Sequence, residues 1–143
     1  MDTIVVGVDN SEASTRAVEF AIARAQVNQW KIVLAHVIPW SPFSFQTPNE
    51  NEHRSREKKR EIAAANEQIL DPMAAIAEKG GVPFDEVVRH GKPSETLLEL
   101  SDEVKAVHII VGRTGDSGLR EAVFGSVASR LAQQANVPVT VVP

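Results

Sequence analysis

The stretch Val107–Ser126, VHIIVGRTGDSGLREAVFGS, decides the fold. It begins with a short apolar run, Val107–Val111, that leads straight into Gly112. Gly115 follows after two intervening residues, and Gly125-Ser126 after nine more, so the spacing is Gly-x2-Gly-x9-Gly-Ser. Beyond it Val127, Leu131 and Ala135 recur at i, i+4 and i+8, one face of a helix that Gly125-Ser126 is expected to open. The pattern is therefore a strand, a glycine-rich loop and a helix start.

Such a junction favours an anion. The first amides of a helix lack partners and carry partial positive charge. Glycine lets a backbone approach a ligand without a Cβ in the way, and the Ser126 hydroxyl can cap the helix or donate to a phosphate oxygen. A glycine-rich connection without a ligand fits the same spacing, so both readings stand at this point.

Outward from this stretch the chain repeats one rhythm. Thr3–Val8 is β-branched and apolar on both faces, as a central parallel strand is. It ends in Asp9-Asn10-Ser11, which favour turns and caps. Residues 11–27 read as an amphipathic helix through Ala17, Phe20, Ala21 and Ala25. Lys31–Ile38 is a second strand, closing a right-handed βαβ unit. Pro39–Asn51 interrupts the rhythm with three prolines, Trp40, Phe43 and Phe45. That loop is read as packing its rings on its own domain, with cover for a ligand or a partner as the other reading.

Glu52–Lys79 reads as a long helix ended by Gly80-Gly81, with a kink or break expected at Pro72. Its basic run His53–Glu61 is interleaved with Glu57 and Glu61, which makes it a solvated helix face rather than a phosphate patch. Phe84–His90 is a third strand, and Pro93 starts a helix through Leu97, Leu100 and Val104. Val107–Val111 and Val137–Val142 are the fourth and fifth strands. Five strands alternating with helices make an open parallel α/β sheet covered on both faces. Ligands of such sheets sit beyond the strand C-termini, where the strand order reverses. Asp9 and the loop from Gly112 are the chemistry-bearing ends.

The bounds agree. At 143 residues the chain is expected to form a single domain spanning 1–143. It has no cysteine, which excludes thiol catalysis and disulfide scaffolds. A net charge of −4 argues against a general nucleic-acid or anionic-membrane binder. No apolar run is long enough for a membrane span, and Met1-Asp2-Thr3 lacks the basic start of a signal peptide. The expectation is a cytoplasmic protein. No Walker-type G-x-x-x-x-G-K-[ST] and no G-x-G-x-x-G after the first strand occur. His36, His90 and His108 lie in or beside strands and read as packed or hydrogen-bonded rather than catalytic.

The glycine spacing resembles the nucleotide-binding signature of the ATP-binding branch of the universal stress protein family. The likeness extends along the chain through Ile4–Ser14 (IVVGVDNSEAS), Ala35–Trp40 (AHVIPW), Val88–Leu100 (VRHGKPSETLLEL) and Val137–Pro143 (VPVTVVP). The resemblance implies a Rossmann-like sheet of the adenine nucleotide alpha hydrolase type, in the order 3-2-1-4-5. It implies that Asp9 lies by the adenosine and that Val37 offers backbone groups to the adenine edge. Val111 and Gly112 would line the ribose, Gly115 would approach the phosphates, and Gly125, Ser126 and Val127 would cradle them through backbone N–H groups. A cap of the first helix, made by Asp9 or by Ser11, is the plainer reading, and the two are compatible. Arg113 stands where the family often has a small or hydroxyl residue, and is read either as a phosphate contact or as pointing outward. Ala128 stands where some members carry a hydroxyl.

The cofactor implied is ATP, or ADP or AMP, with Mg²⁺ or Mn²⁺ carried on the phosphates. The partner implied is a second copy of the chain, paired through strand five, Val137–Val142. The leading function is a nucleotide-dependent stress-response protein with slow or no ATP hydrolysis. The loop lacks a P-loop lysine, and its only acids, Asp116 and Glu121, have no spacing that marks a water-positioning residue. An ATPase or adenylate-forming enzyme is the alternative, although the first loop DNSEAS lacks the Ser-Gly-Gly-x-Asp-Ser of ATP pyrophosphatases. A nucleotide-free interaction module is the third reading, and the intact glycine spacing argues against it.

Overall fold

Ile4, Val5 and Val6, the middle of strand β1 (Thr3–Gly7), are fully buried, and the molecule is built outward from them. The computed structural model describes residues 1–39, 48–113 and 121–143. β1 pairs in parallel with β2 (Lys31–Pro39) on one side and with β4 (His108–Gly112) on the other. β3 (Phe84–Gly91) continues the sheet beyond β2, and β5 (Val139–Val142) beyond β4. The order is β3-β2-β1-β4-β5, as expected.

Alternation along the strands divides the apolar residues between two cores. Ile4, Val6, Ile32, Leu34 and Ile110 face helices α1 (Glu12–Asn28) and α3 (Asp71–Lys79). Val5, Val33, Ala35, Ile109 and Val111 face α4 (Pro93–Glu103) and α5 (Glu121–Gln134). A sheet with helices on both faces needs strands apolar at successive positions, which is what Ile4-Val5-Val6 and Ile109-Ile110-Val111 provide. Each such side chain contributes about 1.5–3 kcal/mol on burial.

The local signals act largely as read. Ser11 caps α1, its Oγ accepting from the Ser14 amide at 3.1 Å. Gln29 ends the helix in the left-handed conformation with φ 58°. Pro93 sits in the first turn of α4. Gly81, at φ 72°, takes the chain out of α3 in a conformation that suits glycine.

Several boundaries differ. The long helix begins at Pro48 rather than Glu52, so the tail of the expected loop is already helical in α2 (Pro48–Ala65). The irregularity expected at Pro72 falls just before it. A single π-turn, Asn66–Leu70, joins α2 to α3, and the Asp71 amide reaches back to the Asn66 carbonyl. Pro72 has no N–H to return to the preceding turn and its ring crowds the carbonyl there; the widened turn relieves both while Leu70 stays fully buried. β5 starts at Val139, because Pro138 can offer the ladder only its carbonyl, which accepts from the Ile109 amide at 3.0 Å. The aromatic residues Trp40, Phe43 and Phe45 lie outside the described residues.

Candidate functional site

β1 and β4 are neighbours, with Gly7 level with Val111, so the turn after β1 and the loop after β4 leave the sheet side by side. This is the point where the strand order reverses. Gly112 makes the approach close. A Cβ there would stand 2.8 Å from the Ala13 carbonyl carbon and 2.9 Å from its oxygen. The end of β4 therefore lies directly on the first turn of α1, and only glycine permits it.

Across that junction Asp9 holds a small network. Its Oδ1 accepts from the Ser11 amide at 2.9 Å and from the Ser11 hydroxyl at 2.5 Å. The Asp9 amide donates to Ser14 Oγ at 2.9 Å, and Ser14 is buried. Asp9 thus does not cap α1 itself. It fixes the rotamer of Ser11, which does, and the pair closes an Asx-type turn. The half-buried Asp9 is held by that turn just beyond the C-terminal end of β1.

The other edge of the crevice is β2. The Val8 amide donates to the Ala35 carbonyl at 2.8 Å, and the Val8 carbonyl meets His36 Nδ1 at 2.7 Å. Val37 follows, half-buried and packed on the α4/α5 core. On the opposite side, Val111 is buried, and Arg113 donates its amide to the Val142 carbonyl at 2.6 Å while its side chain is exposed. The structure thus brings Asp9, Val37, Val111, Gly112 and Arg113 to one end of the sheet.

The phosphate side is different. Gly115, Asp116 and Gly118 lie outside the described residues. α5 begins at Glu121, four residues before Gly125, so Gly125 and Ser126 sit within the helix rather than at its start. Nothing in Glu121-Ala122-Val123-Phe124 disfavours helix, and the Gly-Ser cap signal is overridden. Ser126 is exposed, Val127 packs on the α4/α5 core, and Ala128 is buried.

Sequence reading missed Ala13, Ser14 and the contact of His36. Ser14 stands three residues after Ser11, a spacing that suits a hydroxyl pair around a helix start, and that was the available signal. Two further histidines, His108 and His90, each lie beside a polar side chain. His108 Nε2 meets Thr140 Oγ1 at 2.7 Å, with the Trp30 ring centred 6.0 Å away, and His90 Nε2 lies 3.5 Å from Glu61 Oε2. Among the described residues, no three carboxylates or imidazoles come together as metal ligands, and no helix is long and apolar enough to cross a membrane.

The comparisons with known proteins bear on this geometry. The model of the universal stress protein family matches residues 1–143. Universal stress protein MJ0531 of Methanocaldococcus jannaschii is 31% identical over 140 residues, covering 97% of this chain and 80% of the relative. A universal stress protein from Archaeoglobus fulgidus, solved in complex with dAMP, superposes with a TM-score of 0.71 at 27% identity. It covers 100% of this chain and 98% of its own. A universal stress protein solved in complex with cAMP superposes with a TM-score of 0.69 at 29% identity, covering 99% and 95%.

Proposed function

The chain belongs to the universal stress protein family, and from that premise we propose that it binds an adenine nucleotide between the β1–α1 turn and the β4–α5 loop. The observation that carries the reading is the Gly112–Ala13 contact, which joins the Asp9 turn to the glycine loop at the reversal of strand order. The dAMP and cAMP bound to two relatives support the choice of adenine nucleotides. In this reading Asp9 bonds the nucleoside, Val37 meets the base, and Val111 and Gly112 line the ribose. Gly115 lets the loop approach the phosphates, Arg113 pairs with them, and Gly125, Ser126 and Val127 donate to them once the first turn of α5 opens. Mg²⁺ or Mn²⁺ would arrive on the phosphates of the nucleotide. The charge it supplies would neutralise the phosphate oxygens.

The nucleotide is held rather than consumed, and its occupancy governs a regulatory role in stress response. In-line hydrolysis needs a positioned water, and neither Asp116 nor Glu121, the acids of the stretch from Gly112 to Ser126, has a spacing that marks a water-positioning residue. The test is to denature the purified protein, identify released nucleotide by mass spectrometry, and follow bound ATP with Mg²⁺ in a single turnover. An adenine nucleotide released intact, persisting for minutes, supports the reading. Turnover at about 1–100 s⁻¹, the range of kinases, would make the protein an enzyme. Release of no nucleotide, with no binding on titration, would leave the interaction-module reading.

A further inference from the structure

The contact between His36 and Val8 ends the β1–β2 ladder one rung early. In a parallel pair, alternate residues of a strand turn both N–H and C=O toward the same neighbour. The Val8 amide donates to the Ala35 carbonyl, so Ala35 and Val37 are the β2 residues whose backbone faces β1. The next rung would take the Val37 amide to the Val8 carbonyl. The ladder stops before it, with Gly7 level with Ala35 as the last pair. The Val8 carbonyl instead meets His36 Nδ1 at 2.7 Å, and among the described residues no bond joins it to the Val37 amide. A carbonyl oxygen only accepts, so the imidazole carries its proton on Nδ1 and donates it there.

We propose that His36 is a positioning residue of the nucleotide crevice, whose imidazole occupies the Val8 carbonyl and so keeps the Val37 N–H off the ladder and available to a nucleobase. A peptide N–H complements the ring-nitrogen acceptor on the Watson–Crick edge of adenine. A sheet normally consumes such a group in its own pairing. The site is therefore made from a missing rung, and the donor that fills the rung's acceptor comes from the adjacent residue. The inference rests on the nucleotide reading for its ligand, but the ladder claim stands on this chain alone.

The test uses amide hydrogen exchange and adenosine titration on the intact chain, for wild type, His36→Leu and His36→Asn. Asn places an amide N–H at the same distance from Cβ as Nδ1, so it keeps the donor; Leu removes it. In wild type without nucleotide the Val37 amide should exchange fast, and adenosine should protect it. In His36→Leu the released Val8 carbonyl should recruit Val37, slowing its exchange about tenfold or more before any ligand is added. Adenosine affinity should fall roughly five- to tenfold, the scale of one hydrogen bond. His36→Asn should behave as wild type in both. Wild type should also lose affinity for 1-deazaadenosine, which lacks the ring acceptor, whereas His36→Leu should not discriminate between the two. Val37 equally protected in ligand-free wild type and His36→Leu overturns the inference, as does Asn failing to restore what Leu loses. If Val37 responds as stated and no adenine nucleoside or nucleotide binds wild type, the nucleotide reading falls, and the base-binding half of the inference with it.

Discussion

A single carboxylate oxygen, Oδ1 of Asp9, takes both the amide and the hydroxyl of Ser11, and the hydroxyl in turn accepts from the Ser14 amide. Replacing Asp9 with alanine frees the Ser11 rotamer and loosens the cap of α1. Loss of a cap costs about 1 kcal/mol, which should appear as a lower thermal midpoint. The binding role adds a separate consequence: ATP and adenosine affinity should both fall, by roughly 1–3 kcal/mol, because a charged acceptor at the nucleoside is lost. A thermal loss with unchanged affinity would confine Asp9 to the turn. At this scale the chain was only half legible. Asp9 and Gly112 could be picked out because an aspartate ending a strand and a glycine ending another are local signals. Ala13 and Ser14 could not, since their importance comes from a β4 backbone about a hundred residues away lying on the first turn of α1. His36 could be read as hydrogen-bonded, but not to which carbonyl, because that depends on the register of β2 against β1.

Among the elements, the two apolar faces followed from strands with no polar face and the strand order from the family resemblance, while the helix irregularities did not. Pro72 could be flagged, but the α-helical spacing of Ile62, Ile69, Met73 and Ile76 does not announce the π-turn that accommodates it. The start of α5 was misread for a related reason: Gly125-Ser126 has the chemistry of a cap, yet residues 121–124 tolerate helix equally well. Gly125→Ala separates these states. Alanine favours helix over glycine by about 1 kcal/mol, so the variant should melt higher; if the first turn must open onto phosphate, it should also bind ATP less tightly while adenosine affinity holds. Weaker binding of both ligands, or of neither, would remove α5 opening from the account. A second prediction concerns the β4–β5 pairing, where His108 bonds Thr140. Burial first, and the Arg24 guanidinium second, hold the His108 imidazole below its ordinary value of 6.5. The neutral form is thus the one the fold prefers. Its contribution is fully present above the unfolded value and is lost as pH falls through the lower folded value. Thermal midpoints measured from pH 8 to pH 5 should drop more steeply in wild type than in His108→Gln. Parallel curves would exclude His108 as a source of acid sensitivity.

The whole molecule is a sheet with two unlike edges. β3 carries charge, with Lys31 reaching Asp85 at 2.6 Å and Arg89 gripping Glu103 through both guanidinium nitrogens. β5 carries only Val139, Thr140, Val141 and Val142, with Val141 exposed. An apolar edge strand invites a further strand, so the chain is expected to form a homodimer through β5. Light scattering at micromolar concentration should return twice the chain mass, and Val141→Lys should return the monomer. A monomeric wild type, with and without ATP, would contradict this. The fold as a whole was legible because alternation and turn chemistry are written locally, whereas the crevice is made by two loops meeting at the reversal of strand order. Titrating isotope-labelled protein with ATP, and following every backbone amide by NMR, tests that crevice most directly. The account predicts saturable shifts confined to Asp9–Ser14, Val37, Val111–Arg113 and the first two turns of α5. Absence of shifts, or a set centred on another face of the sheet, would contradict it.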